Sequence, residues 1–427
     1  VLHLSKIKKL SGSSAWIIIA AFGAYFCMYG FRKPYTAATY SDNILLGLDF
    51  KSLLILSQTL GYVTAKWAGI KIIAEINPEK RVKALLLLIC FAELMLLLFG
   101  IVPKPWNAIC IFLNGLPLGM VFGLVLGYLE GRKHTEALIA CLCASFIVSD
   151  GVAKSAGQWL LNLGVAETWM PFVAGLLFAV PLLLFAVMLS VIPKPGNEDI
   201  NARSERLPMN GTNRKQFFFK YAPGLIAIII TYLLVTLLRS LRADFAPEIW
   251  QALGYKKVPA LFTQSELIVS FAVVIITGFV ILITNHYKAL QTSLLTCCLG
   301  FVLLIIAIYG YKNGFNGFAF MVIAGLGVYI PYVAIHTTIF ERLIALTRER
   351  ANVGFLMYVA DSAGYTGYII LMLFKYFFSS GYAVLPLFIK MSIVLGIAGL
   401  MLVLYCTRYF FIRFAKKHSY ANRLSAR

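Results

Sequence analysis

Apolar runs of about twenty residues recur from one end of the chain to the other, separated by short polar stretches, and each is long enough to cross a bilayer as a helix. The pattern predicts six spans in the first half, over 14–40, 51–73, 82–102, 106–129, 137–163 and 168–192. It predicts six more over 221–247, 260–284, 289–310, 317–340, 352–375 and 382–407. Between them lies the one long hydrophilic stretch, 193–220, rich in Asn, Arg, Glu and Pro, which reads as a cytoplasmic linker. The expected fold class is an all-α membrane protein, with an N-terminal six-helix bundle over 1–192 and a C-terminal six-helix bundle over 221–427. The start, Lys6-x-Lys8-Lys9 followed by apolar Trp16–Gly30, imitates a signal peptide. It lacks a small-x-small cleavage site before a polar region, so it reads as an uncleaved first span.

Composition agrees with this and narrows the function. The chain is 60% hydrophobic and 13% charged, about half the charged fraction of a soluble domain. Its net charge of +20 would suit a nucleic acid partner, but the placement of the charge argues for none. Of the 38 Lys and Arg, 25 fall in 1–13, 71–83, 130–135, 193–220, 285–288, 341–350 and 408–427. The opposite loops carry six: Lys51, Lys104, Arg242, Lys256, Lys257 and Lys312. That alternation follows the positive-inside rule, which puts both termini in the cytoplasm, with a bacterial-type inner membrane as the expected location. Asn210-Gly-Thr212 is a glycosylation sequon on the cytoplasmic side, where it would not be used. Trp16, Trp106, Trp169 and Trp250 sit near span ends, as an interfacial belt would.

The eight cysteines all lie within or at the ends of apolar segments, which suits free thiols packed as small apolar groups. Cys141-x-Cys143 and Cys297-Cys298 lack the flanking ligands a metal needs. No nucleophile–base pair and no cofactor motif is visible, so the chain reads neither as an enzyme nor as a cofactor protein.

Six plus six spans with a basic middle loop is the layout of the major facilitator superfamily, whose halves are related by an axis along the membrane normal and bind substrate near midplane. Two arginines support it. Arg32 stands 18 residues beyond Ser14, and Arg239 stands 18 residues beyond Tyr221. The first helix of each half is thus expected to carry one arginine at the same depth, roughly 7 Å past its midpoint at 1.5 Å per residue. A charge at that depth costs about 2.5–3.5 kcal/mol on insertion scales, so it needs a purpose. A guanidinium matches phosphate or carboxylate bidentately and stays charged, so facing arginines suit a divalent oxyanion. The plainer alternative is that each merely pairs with a carboxylate or with backbone carbonyls.

Five stretches carry a resemblance to a known family: Tyr25-x3-Tyr29-x2-Arg32-Lys33, Gly61-Tyr62-x3-Lys66 with Asn77-Pro78, Leu237-Leu238-Arg239-x4-Asp244-x2-Pro247, Ser265-Glu266 and Tyr329-x-Pro331. In order and span they resemble the organophosphate:phosphate antiporters. The resemblance implies that Arg32 and Arg239 hold the substrate phosphate and that Lys66, Tyr25 and Tyr29 lie around the pathway. It also supports a salt bridge between Lys33 and Asp244 that closes the outer side. On the residues alone, Lys66 could instead snorkel to the surface, and Tyr25 and Tyr29 could simply pack.

The chain also departs from that family. Where its fifth helix has a histidine, this chain has Asp150 and Lys154, one turn apart and spaced for an intrahelical ion pair. Gly151-x2-Lys154-Ser155 lies inside a span and lacks the upstream glycine of a P-loop. Ala74 stands where the superfamily usually has an aspartate, with Glu75 beside it. Asp361 is an intramembrane carboxylate with no counterpart in the family, His336 has no evident partner, and Glu93 is isolated. Asp150, Lys154, Glu266 and Asp361 are therefore coupling candidates, since a buried carboxyl can exchange a proton.

The sequence reads as a secondary transporter of a small organic anion, an organic phosphate first, working by alternating access, in exchange for inorganic phosphate. A proton-coupled symporter of another organic anion is the near alternative. A transporter-like sensor is the distant one, and the short cytoplasmic stretches with no signalling module speak against it. The expected partners are the anionic substrate and the lipid bilayer, with the monomer as the functional form.

Overall fold

The computed structural model describes residues 12–40, 44–45, 48–75, 78–129, 132, 135–193, 211–256, 258–347, 353–378 and 383–425. Most of the linker, the Asn210 sequon position, Asn77 and the basic Lys6–Lys9 start lie outside the described residues. Each predicted span contains a helix: α1 (Ser14–Gly30), α2 (Phe50–Glu75), α3 (Arg81–Ile101), α4 (Asn107–Leu129), α5 (Thr135–Asn162) and α6 (Met170–Ser190). Then come α7 (Ala222–Asp244), α8 (Ala260–Ile281), α9 (His286–Lys312), α10 (Gly317–Ala334), α11 (Val353–Phe378) and α12 (Val384–Ser425). Among the described residues, ten helices are long and apolar enough to cross a membrane, α10 being counted with its continuation to Thr347. The two others are α1, with 17 residues, and α2, which carries Lys51, Lys66, Lys71 and Glu75. The protein is an integral, polytopic, all-α membrane protein.

Three local departures from the expected spans bear on function. The first helix was expected to run from 14 to 40, but α1 stops at Gly30, where the Phe31 N–H closes back on Met28 and Tyr29 carbonyls. Pro34 has no N–H to offer the Gly30 carbonyl, so the α-helix does not continue through it; it opens a short 3₁₀ turn, Pro34–Ala37, with Lys33 before it still in the helical region. Arg32 and Lys33 therefore sit in a break rather than in a helix. The tenth helix does not run evenly from 317 to 340: after Pro331 it widens into a π turn, Ile335–Ile339, before resuming as Phe340–Thr347. Finally, a ten-residue helix, Gly211–Lys220, occupies the end of the predicted linker.

The chain forms two compact units. The first comprises 1–203, 240–271 and 368–387, which gathers α1–α6 with the last turn of α7, the short helix Ala246–Ala252, the first half of α8 and the α11–α12 corner. The second comprises 204–239, 272–367 and 388–427.

Within the first unit, α2 and α4 approach through glycine. A Cβ on Gly61 would stand 2.1 Å from the Phe112 carbonyl oxygen, and one on Gly115 would stand 2.4 Å from that of Gln58. Both obstacles are backbone, so no side-chain rotation relieves them, and small residues at helix crossings are what permit such contact in a bilayer. Gly61→Val should force the helices apart and cost about 1–3 kcal/mol or more of overpacking. The check is the thermal midpoint of the purified protein, and an unchanged midpoint would mean that the two helices separate freely.

Candidate substrate sites and a charged layer

The break after α1 exposes carbonyl groups at membrane depth, where water cannot serve them, so protein must. Two amides do this. Asn114 on α4 donates through Nδ2 to the Phe31 carbonyl at 3.2 Å and to Ala92 at 3.0 Å. Gln58 on α2 donates through Nε2 to the Arg32 carbonyl at 2.9 Å and to Asn114 Oδ1 at 2.9 Å. All three side chains are buried, so the backbone at Arg32 is fixed by α2 and α4 together.

Around that fixed point the first unit assembles aromatic faces and a second cation. The Arg32 guanidinium lies 4.0 Å from the Tyr62 ring centroid and 5.5 Å from that of Tyr29. Lys66, buried rather than snorkelling, brings its ammonium 5.2 Å from the same Tyr62 ring and 5.9 Å from Phe122. Tyr25 meets Tyr29 edge-on at 5.7 Å and Phe122 at 5.4 Å. The structure thus brings Arg32, Lys66, Tyr25 and Tyr29 into one cluster and adds Tyr62 and Phe122. Cations against aromatic faces gain about 0.5–2 kcal/mol, most when desolvated.

The second unit builds a comparable cluster on α7, α10 and α11. Arg239, inside α7, lies 4.6 Å from the Tyr332 ring centroid and 6.0 Å from that of Tyr365, and its Nη2 donates to the Tyr365 hydroxyl at 3.3 Å. The two arginines differ in local backbone: Arg239 lies inside a helix and Arg32 follows a helix end. Tyr332 stacks on Tyr232 at 5.1 Å and on His336 at 4.9 Å. Asp361 accepts a hydrogen bond from the Tyr232 hydroxyl, and its Oδ1 lies 3.7 Å from His336 Nε2. His336, which had no evident partner in sequence, is thus part of this group.

The other membrane charges form a layer of ion pairs in the first unit. Lys33 pairs with Asp244, which also accepts from the Tyr368 hydroxyl at 2.9 Å. Lys154 pairs with Asp150 one turn away on α5, and Arg242 pairs with Glu266 at 2.6 Å. The charges of Asp150 and Lys154 act on both Lys33 and Glu266, so these six groups belong to one field. Three cations meet three anions, and the layer neutralises itself. Lys51–Glu248 at 2.6 Å and Lys375–Asp49 at 3.2 Å extend it. Lys51 and Arg242, counted in sequence as loop cations, are buried, as is Trp250, expected in the interfacial belt. Ser155 donates to the Pro259 carbonyl at 2.6 Å and contacts the Thr263 hydroxyl at 2.7 Å, adding hydrogen bonds between α5 and the start of α8.

Glu93 on α3 stands apart, abutting Gly175 of α6, and among the described residues neither of its carboxylate oxygens has a hydrogen-bond partner. Reasoning from sequence missed Gln58, Asn114, Tyr62, Phe122, Tyr332 and Tyr365. An amide in mid-span was the available signal for the first two, since a lone Asn or Gln in lipid implies a polar partner.

The profile of a family of unknown function (DUF5690) matches residues 34–413. No curated protein matches the chain. Among solved structures, the fold is similar to a bacterial homologue of the human lysosomal transporter Spinster, crystallised inward-facing and unoccupied. That match has a TM-score of 0.59 and 13% identity, covering 94% of this chain and 97% of the other. It is also similar to a D-xylose–proton symporter, with a TM-score of 0.59 and 12% identity over 91% of this chain and 96% of that one. At such identities the likeness concerns the fold alone.

Proposed function

The chain belongs to the DUF5690 family, and from its major facilitator fold and its two arginine clusters we propose that it is a secondary transporter of a small organic anion, an organic phosphate in the first place. The observation that carries this reading is the pair of buried guanidinium groups lying over tyrosine faces, Arg32 on Tyr62 and Arg239 on Tyr332. A guanidinium held over a ring donates hydrogen bonds through N–H groups in its own plane, and on Arg239 one of them, Nη2–H, donates to the Tyr365 hydroxyl. The planar N–H fork is the geometry that grips phosphate or carboxylate with two hydrogen bonds. Lys66 adds charge on the Arg32 side without such a fork, while Tyr25 and Tyr29 shape the wall.

In this reading the self-neutralised layer is the gate. Lys33–Asp244 and Arg242–Glu266 lie in it together with Asp150–Lys154, and it draws on segments from both halves of the sequence. Alternating access requires it to part. Bound anion supplies the counter-charge that lets the arginines cross between states, which is also the condition for exchange against inorganic phosphate.

A stabilisation screen on the purified protein tests the reading. A ligand at a hundred times its Kd adds about 2.7 kcal/mol to the folded state. We expect phosphate esters or inorganic phosphate to raise the unfolding temperature, with phosphonates and carboxylates as comparators. A flat response to every anion in the panel would overturn the proposal. Uptake by proteoliposomes holding this protein alone separates transport from sensing.

A further inference from the structure

We infer that His336 and Asp361 form the site of a proton that accompanies the anion at Arg239. The inference rests on the anion reading above and assigns its co-ion.

The membrane carboxylates sort by partner. Asp150, Asp244 and Glu266 each pair directly with a lysine or arginine. Asp361 faces an imidazole, whose charge changes near neutral pH. With the imidazole neutral the pair carries one negative charge. With both ring nitrogens protonated, the imidazolium standing 3.7 Å from Asp361 Oδ1 makes the pair neutral. Nothing else changes: the proton arrives from water on one side and leaves to water on the other.

The neighbours give that charge a consequence. On α10 the ring of Tyr332 lies between the imidazole, 4.9 Å away, and the guanidinium, 4.6 Å away. The imidazole therefore stands within about 9.5 Å of the Arg239 charge. At an effective dielectric of about 20, one unit charge at that range alters an ion's affinity by roughly twentyfold. Among the described residues, Tyr232 of α7 and Tyr332 of α10 stack on the imidazole, Tyr365 of α11 acts electrostatically on both tyrosines, and Arg239 of α7 lies over Tyr332. From α9, Ser293 meets the same turn through Thr338 at 2.8 Å and carries no charge. Deprotonated, the pair competes with substrate for the field of Arg239. Protonated, it leaves that field to the anion, so proton and anion bind together. The histidine also lies in the π turn, a deviation that recurs at functional sites.

The test uses the full chain in lipid nanodiscs with ¹⁵N-labelled histidine, the His336 imidazole being assigned by its disappearance in His336→Gln. The ligand probe is sulfate, a divalent tetrahedral anion that keeps its charge across the pH range. We expect the His336 signal to titrate between pH 5.5 and 8, with a midpoint displaced by about one pH unit or more in Asp361→Asn. Sulfate should bind about twentyfold tighter at pH 6 than at pH 8, and that ratio should fall to near one in His336→Gln. A His336 signal that keeps one protonation state throughout overturns the proton site whether or not sulfate binds. A titrating His336 with a sulfate affinity indifferent to pH overturns the coupling. A titrating His336 in a protein that binds no sulfate supports the proton site and places the failure on the anion reading.

Discussion

Arg239→Ala should weaken binding of the best anion from the stabilisation screen by about 30-fold to several thousand-fold, the equivalent of about 2–5 kcal/mol for truncating one partner of a buried charged contact. Arg239→Lys should fall between that variant and the wild type. Lysine keeps the charge but offers a point rather than a fork, and it cannot stack on Tyr332 as a plane does. The same series at Arg32 should behave alike, with a smaller loss because Lys66, 5.2 Å from the same Tyr62 ring, retains part of the field. Isothermal titration with each variant reads the result directly. If alanine at either position binds the anion as tightly as wild type, that arginine does not hold the substrate. If alanine and lysine fall equally far, the geometry of the fork rather than its charge carries the interaction.

Much of the architecture was visible in hydropathy alone, since a membrane helix needs only length and apolar content. Hydropathy is blind to a break, however. α1 ends at Gly30, ahead of Phe31-Arg32-Lys33-Pro34, but the window average is carried by the apolar residues before it, so the span looked continuous where the backbone turns. The proline was the signal, and it was outvoted by its surroundings. The Asp150–Lys154 pair was legible because it is local, four residues apart on one helix. The partnership of His336 with Asp361, 25 residues away on another helix, has no periodicity to betray it and exists only through packing. Loop charges misled in the opposite direction: Lys51 and Arg242 were counted by position among the six cations of the charge-poor loops, yet both are buried with carboxylates. A cation near a span end satisfies a topology rule and an ion pair equally well, and sequence does not choose between them.

The Lys33–Asp244 pair should give the second large effect. Both side chains are buried, so Lys33→Met strands the Asp244 carboxylate and Asp244→Leu strands the Lys33 ammonium. Removing one member of a buried pair costs about 3–5 kcal/mol, because the other charge stays out of water without its partner. The double variant Lys33→Met/Asp244→Leu should recover most of that loss, since an apolar pair of similar volume is often neutral or better. Denaturation midpoints of the four proteins close the cycle, and singles no worse than the double would mean that the two charges are not coupled. Stability alone does not make a gate. For that, Lys33→Cys with Asp244→Cys should cross-link, and the cross-link should arrest transport until a reductant is added. Arrest by the cross-link with full transport in the apolar double variant would separate the two roles: the contact must open in each cycle, while its charge serves the fold. Failure to cross-link in the presence or absence of anion would remove the pair from the gate.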